Sequence, residues 1–396
     1  MKLNLAFLFL FFGLAKAQSW QHLSDFPGAA RDDAASFVIN NKAYCGTGLA
    51  VGWYETRDIY ELDLTNETWK SVASLPVGKE RQASCGFSKG NYGYIFGGLD
   101  ASGNFLNDLW RYDQGTNTWQ QLTSKPGSGL AGACCFVIGN FAYIVSGINA
   151  FTVTSPEVWA FDLVNLTWIQ KNNISFNGFW RGCAATAAGK GYTLFGKEAN
   201  DRFVKELREY DPGTDSWTTI SNFPSVGRSH AIMQTINYNE LHVFAGQDTL
   251  NNSYNELWMF SPSNLSWAQK NSLPASGRKE GMSFVYNNSI YYVAGLDSTN
   301  TRMKETWKAS FAVGIEEATK KEESLKIFPN PVKDIIYINS SGLNGFRYII
   351  TDMLGRIVLE GELQNSSITT GTLDKGLYQL TFNSGNKRHC AKFTIE

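Results

Sequence analysis

Three features recur six times along this chain at steps of 49 or 50 residues, and nothing else narrows its folding as much. A glycine ends a short apolar run at Gly48, Gly98, Gly147, Gly196, Gly246 and Gly295. An aromatic or histidine stands four residues before each, at Tyr44, Tyr94, Tyr143, Tyr192, His242 and Tyr291. A tryptophan recurs in the same steps at Trp20, Trp69, Trp119, Trp168, Trp217 and Trp267. The stretch Tyr94 to Trp119 shows the whole unit: a strand, a Gly pair, a polar loop, the strand LWRYD, the turn QGTN and the closing Trp. A period of this length holds four short strands, which predicts a repeat architecture. The first Trp precedes the first Gly pair, and the sixth Gly pair is followed by ETWKASF with no closing Trp strand. Trp20-Gln21-His22-Leu23 is therefore expected to supply the outer strand of the sixth unit, closing the array into a ring without an open edge.

Composition excludes several classes of partner. The formal charge is −1, which argues against nucleic acid or an anionic membrane. Aromatics make up 14% with 12 Trp, enough for a large core. At the N-terminus, Lys2 is followed by LAFLFLFFGL and then Ala15-Lys16-Ala17, the pattern of a signal peptide cleaved after Ala17. That apolar run is too short to span a bilayer, so no membrane span is expected in the mature chain. Cys85, Cys134 and Cys183 share a register with Ala35, Met233 and Met282, 13 residues before each second Gly. A slot filled by Cys, Ala and Met is apolar and buried, and equivalent slots in neighbouring units lie too far apart to bridge, so free thiols are expected.

The Gly pair, the spaced Tyr, an acid ahead of the LWRYD-type strand and the closing Trp together resemble the kelch family, over about 295 residues. The departures are local: GTG replaces GG in the first repeat, and repeats three to six keep only the second Gly. The resemblance implies a six-bladed kelch-type β-propeller. The acids stand at Asp58, Asp108, Glu157, Glu206, Glu256 and Glu305. One acid per blade suits backbone N–H groups better than a metal, whose ligands must converge on one ion, and no metal or cofactor is expected.

Arginines recur near the start of the inner strands at Arg31, Arg81, Arg181, Arg228 and Arg278, with Leu130 breaking the series. Two readings stand side by side. They line one mouth of the channel and receive a carboxylate or phosphate, or each pairs with a neighbouring blade's acid. The loops after the Gly pairs differ in every blade, as binding loops on a fixed scaffold do. Trp53, Trp180 and Arg202 are the ligand-binding candidates among their aromatic and charged residues, although more than half of such residues are expected to pack their own loops. An extracellular glycan, acidic sugar or protein is the expected ligand.

Two enzymatic readings belong to kelch folds. A copper oxidase acting on galactose needs paired His and Tyr ligands. Of His22, His230, His242 and His389, His242 takes the core Tyr register and His22 the closing strand, which leaves no pair for copper. The segment FPGAARDDAAS resembles a stretch of the six-bladed sialic-acid mutarotases. That likeness implies acid–base chemistry by Glu198 beside an Arg202 clamp, against a solvated Glu–Arg pair as the plainer reading.

After Phe311 the sequence turns charged and loses its strand pattern, a connector over 313–325. From Lys326 short alternating strands return, which suggests a small Ig-like β-sandwich. Phe328-Pro329-Asn330-Pro331 with Asp334, then Asp352 with Gly355-Arg356, then Gly376-Leu377-Tyr378 and the ending KFTIE resemble the sorting domain of the type IX secretion system. The resemblance implies export to the surface or medium of a Bacteroidetes-type cell, with the secretion machinery as partner. The expected layout is a signal peptide over 1–17, a propeller over 18–312 and a sorting domain over 326–396. Adhesion or surface structure without a ligand is the remaining reading.

Overall fold

A computed structural model of the chain describes residues 18–311, 322–338, 347–352, 357–384 and 387–396. The expected signal peptide, most of the connector and the sorting-motif residues Gly355 and Arg356 lie outside them. The chain divides into two compact units, Met1–Ala312 and Val313–Glu396.

The first unit is a propeller of six four-stranded antiparallel sheets. Blade two shows the pattern, with strands Cys85–Lys89, Tyr92–Leu99, Phe105–Asp113 and Thr118–Leu122 in sequence order. Its second strand is buried on both faces because alternate residues feed different cores. Ile95 packs with Phe37, Tyr44 and Tyr112 between blades one and two, whereas Tyr94 packs with Phe87, Ala142 and Phe161 between blades two and three. The period of two along a strand makes this possible. Ser19–Leu23 pairs with Thr306–Ser310, so the N-terminal strand is the outer strand of blade six.

Each closing Trp joins its blade to the one before. The indole N–H of Trp119 donates to Ala73 O at 2.7 Å, that of Trp168 to Thr123 O at 2.8 Å, and that of Trp20 to Asn271 O at 2.8 Å. Burying most of such a ring is worth roughly 2–3 kcal/mol. The second Gly makes a stitch in the other direction. Gly48 N–H donates to Arg81 O of the next blade at 2.7 Å, and Gly295 closes the circle on Arg31 O at 2.8 Å. At Gly48 φ is +94°, and a Cβ there would meet the Asp32 carbonyl oxygen at 2.4 Å, so glycine is required twice over. The preceding position is also left-handed but open enough for Thr47, Ser146, Phe195, Ala245 and Ala294, which is why the pair so often reads as a single Gly.

Six residues close a second ring at the axis. Asp33, Ala83, Gly132, Arg181, His230 and Glu280 all have φ between 50° and 60°, and each backbone N–H donates to the carbonyl of the preceding member at 2.7–3.1 Å. Asp33 donates to Glu280, so the circuit has no ends.

The second unit is a two-sheet β-sandwich. One sheet orders Glu322–Ser324, Lys387–Ile395, Gly376–Ser384, Arg347–Asp352 and Ile357–Glu362; the other orders Ile327–Phe328, Ile335–Ile338 and Ser367–Thr369. Val332, Ile336, Ile350, Leu380, Phe382 and Phe393 fill the space between them. Asn330 ties the Pro329–Pro331 segment to the final strand: its carboxamide donates to Lys392 O at 3.2 Å and accepts from Thr394 N at 3.0 Å. Beside it, Val332 N–H donates to Thr394 O at 2.7 Å. Asp334 accepts from Thr370 N–H through its carbonyl, and the Tyr378 hydroxyl donates to Asp374 O. Gly376 opens the strand that carries Tyr378. None of the six cysteines of the chain is in a disulfide.

Candidate functional site

The recurring arginines do not gather at the channel. Arg31, Arg81, Arg228 and Arg278 are 0%, 0%, 1% and 2% exposed. Arg81 forks onto Asp108, with Nη1 to Oδ1 at 2.7 Å and Nη2 to Oδ2 at 2.9 Å, and Arg31 holds Asp58 at the same distances. Arg228 pairs with Glu256 and Arg278 with Glu305. Each of these four arginines thus binds an acid of its own blade, not of the next, and Asp58, Asp108, Glu256 and Glu305 serve as guanidinium partners, whereas Glu206 also accepts from Lys205 N–H. Arg31, Arg81 and Arg228 also donate to the carbonyl of the residue before the second Gly. Where the series breaks at Leu130, the buried Lys125 ammonium lies 3.7 Å from Glu157.

Arg181 stands apart because it is out of register. Blade four places Phe179 where blades one, two, five and six place arginine, and Arg181, two residues on, is a member of the axial ring. There it meets three side chains of that ring. Its Nη2 donates to Asp33 Oδ2 at 2.6 Å, its Nη1 to Glu280 Oε1 at 3.1 Å, and Nη1 also contacts His230 Nε2. His230 Nε2 lies 2.9 Å from Glu280 Oε1, and its Nδ1 is 2.7 Å from Ser229 Oγ. These groups line an axial hollow of about 130 Å³. Burial, reinforced by the Arg181 charge, holds the His230 imidazole well below its usual pKa. Burial also pushes Asp33 up to about 6, against the pull of Arg181.

A larger cleft of about 680 Å³ opens beside the hollow and shares Asp33, Arg181 and Glu280 with it. Its other walls include Asp32, Trp53, Glu55, Gln82 and Arg302. Burial, and next the charge of the facing Glu280, raise Asp32 to about 6 although Arg302 Nε donates to it at 3.0 Å. Trp53 is 77% exposed, with its ring face 4.4 Å from the Arg302 guanidinium carbon. Trp180 covers one face of Arg181 at 4.6 Å, half-buried behind the axis.

Glu198 and Arg202 line neither space. Glu198 is 1% exposed and occupies the register of Asp100, Asn149, Asp248 and Asp297. At all five positions the backbone N–H donates to the carbonyl four residues on, closing the loop after the Gly pair. The shorter Asp248 and Asp297 cap their loops with the side chain. Glu198 reaches further and holds Arg202 through two hydrogen bonds of 2.6 and 2.9 Å, with Asn177 at 3.1 Å.

Asp32, Asp33, Glu55, Gln82, His230 and Glu280 carry no role in the sequence reading. For Asp33, His230 and Glu280 the signal was present: the ring members recur two residues beyond the Arg31 register, at the same steps of 49 or 50. They share a place but not a residue type, and only a shared type stands out by eye. Among the described residues no cluster of three or more His, Cys, Asp or Glu side chains could hold a metal.

Comparison with known proteins agrees with this architecture. The KLHDC2/KLHL20/DRC7 Kelch-repeats domain family matches residues 34–226, and the Secretion system C-terminal sorting domain family matches 326–396. N-acetylneuraminate epimerase of Haemophilus influenzae (strain 86-028NP) is 26% identical over 274 residues, 65% of this chain and 66% of that protein. N-acetylneuraminate epimerase of Escherichia coli O157:H7 is 33% identical over 100 residues, 24% and 26% of the two chains. This chain therefore spans just under two thirds of the first relative and about a quarter of the second. The solved structure of YjhT superposes with a TM-score of 0.65 at 18% identity, over 74% of this chain and 98% of that one.

Proposed function

The chain is a kelch-repeat propeller carrying a type IX secretion sorting domain, and from that premise we propose that the exported protein binds a sugar at the axial mouth. The observation that carries this reading is Trp53. Its indole is 77% exposed and forms part of the wall of a cleft lined with carboxylates and an amide, the mix of aromatic and polar groups that a sugar needs. Its face offers a platform for the C–H side of a pyranose, and Asp32, Glu55 and Gln82 offer partners for hydroxyls. The guanidinium of Arg302 beneath the ring fixes its orientation in advance.

Glycan-array screening and calorimetric titration of the full chain test the reading. Binding of at least one sugar is expected, weakened about tenfold or more by Trp53→Ala, since stacking of this kind is worth roughly 1–2 kcal/mol. Binding that survives Trp53→Ala unchanged places the ligand elsewhere.

A second reading has its own support. Burial raises Asp32 and Asp33 to about 6 in the cleft and keeps His230 neutral in the adjoining hollow, so groups able to give and take protons stand close together. Such groups suit the opening and closing of a hemiacetal ring, and two relatives bear the name epimerase. Anomer exchange of the bound sugar, followed by NMR with and without the protein, separates the enzyme from the binder. Faster exchange that is lost in Asp33→Asn supports the enzyme.

A further inference from the structure

Resting on the sugar-binding reading, we propose that the cleft takes an uncharged or amino-bearing sugar and rejects sugar acids. Four carboxylates line it, Asp32, Asp33, Glu55 and Glu280, against two guanidiniums, Arg181 and Arg302. Both cations already face carboxylates of the cleft. Arg181 already donates to Asp33 and Glu280, with one face under Trp180. Arg302 Nε is shared between Asp32 Oδ1 and Leu49 O, and its face lies under Trp53. Lys279, the next nearest cation, is buried with its ammonium on Gln247. His230 adds no charge, because burial keeps its imidazole neutral.

A carboxylate entering this space meets guanidiniums whose charge is already offset by Asp33, Glu280 and Asp32, and stands against four negative groups. A hydroxyl or an ammonium meets the opposite situation. Carboxylate oxygens accept from several donors at once, and an ammonium supplies the positive charge that the cleft lacks. Burial comes first in raising Asp32 and Asp33, and the negative charge of Glu280 adds to it. N-acetylneuraminate itself carries a carboxylate, so a preference for neutral sugars would part this propeller from the relatives named for that sugar.

The test is a titration of the full chain with matched series in the gluco and galacto configurations. Each series holds the neutral sugar, its 2-amino form and its uronic acid, and N-acetylneuraminate is added as a separate probe. The neutral or amino member of at least one series is expected to bind about tenfold or more tightly than its uronic acid. Asp32→Asn combined with Glu55→Gln is expected to narrow that gap by raising affinity for the acid. Uronic acids or N-acetylneuraminate binding as tightly as the neutral sugars, with Trp53→Ala abolishing it, overturns the charge preference and leaves the mouth as the sugar site. A blank across every sugar overturns both.

Discussion

Arg81 and Arg181 carry the same guanidinium into different surroundings. Arg81 is sealed inside blade two on Asp108, whereas Arg181 stands 22% exposed at the axis between Asp33 and Glu280. Replacing Arg81 with Leu strands the Asp108 carboxylate in the interior, and a loss of about 3–5 kcal/mol is expected in urea unfolding of the propeller. Replacing both partners by Leu should recover much of that loss, because no charge is then left unpaired. His230 makes a different prediction. Its pKa is lowered in the fold, so below about pH 6.5 the unfolded chain takes up a proton that the fold refuses, and stability falls by up to about 1.4 kcal/mol per pH unit. Asp32 and Asp33, raised to about 6, act in the opposite sense, since between that value and the ordinary carboxylate range the fold holds protons that the unfolded chain has lost. Unfolding of His230→Gln at pH 7 and pH 5 should therefore show a smaller acid-side loss than the parent, or a gain. An unchanged difference between the two pH values counts against a neutral buried imidazole. At this scale the sequence shows which arginines recur but not which way they point. Arg181 looks like a member of the series because it lies two residues from its true place, held by Phe179, and a shift of two keeps the same strand face.

The strands were far more legible than the site, because each carries its surroundings in its pattern. The second strand of every blade is apolar at consecutive positions since both faces are covered, and the outer strand, such as Thr118–Leu122, keeps only its alternate residues inward. The register of Cys85, Cys134 and Cys183 reads as an apolar slot for the same reason, and Cys134 and Cys183 are buried. Loops carry no such pattern, which is why the placement of Trp53 over Arg302, 249 positions apart, could not be foreseen. In the second unit the segment before the first long strand is held to the last strand by a backbone bridge at Val332 and by side-chain chemistry beside it. Asn330 is the clasp, with two hydrogen bonds to the last strand. Asn330→Ala should cost the sandwich about 1–3 kcal/mol. Amide exchange at Thr394, whose N–H donates to that side chain, should speed up well before exchange in Gly376–Ser384. Uniform loosening of both strands would show that Asn330 supports the whole sandwich and not the final strand.

A propeller gains from closure what a solenoid cannot have, because each interblade core is backed by another on both sides. Among the described residues of the first unit there are six such cores, one at every junction, including Leu23, Tyr291 and Cys45 between blades six and one. The axial ring of backbone hydrogen bonds and the Gly48-to-Gly295 stitches run through the same junctions. Only Ser19–Leu23 joins the two ends of the repeat array within a single sheet. Its contribution should therefore be felt in every blade, not in blade six alone. Removing residues 18–24 leaves Thr306–Ser310 as an unpaired edge and takes Trp20 from Phe244 and Leu23 from the junction core. The truncated protein is expected to unfold at a temperature lower by ten degrees or more, through a broader transition, and to self-associate through the open edge on size-exclusion chromatography. Trp20→Ala keeps the backbone pairing and loses only the indole with its bond to Asn271, so it should lower the midpoint while the protein stays monomeric. If the truncation behaves like the point substitution, the strand acts as ordinary packing. If it alone broadens the transition and opens the edge, closure is what makes the six blades unfold as one.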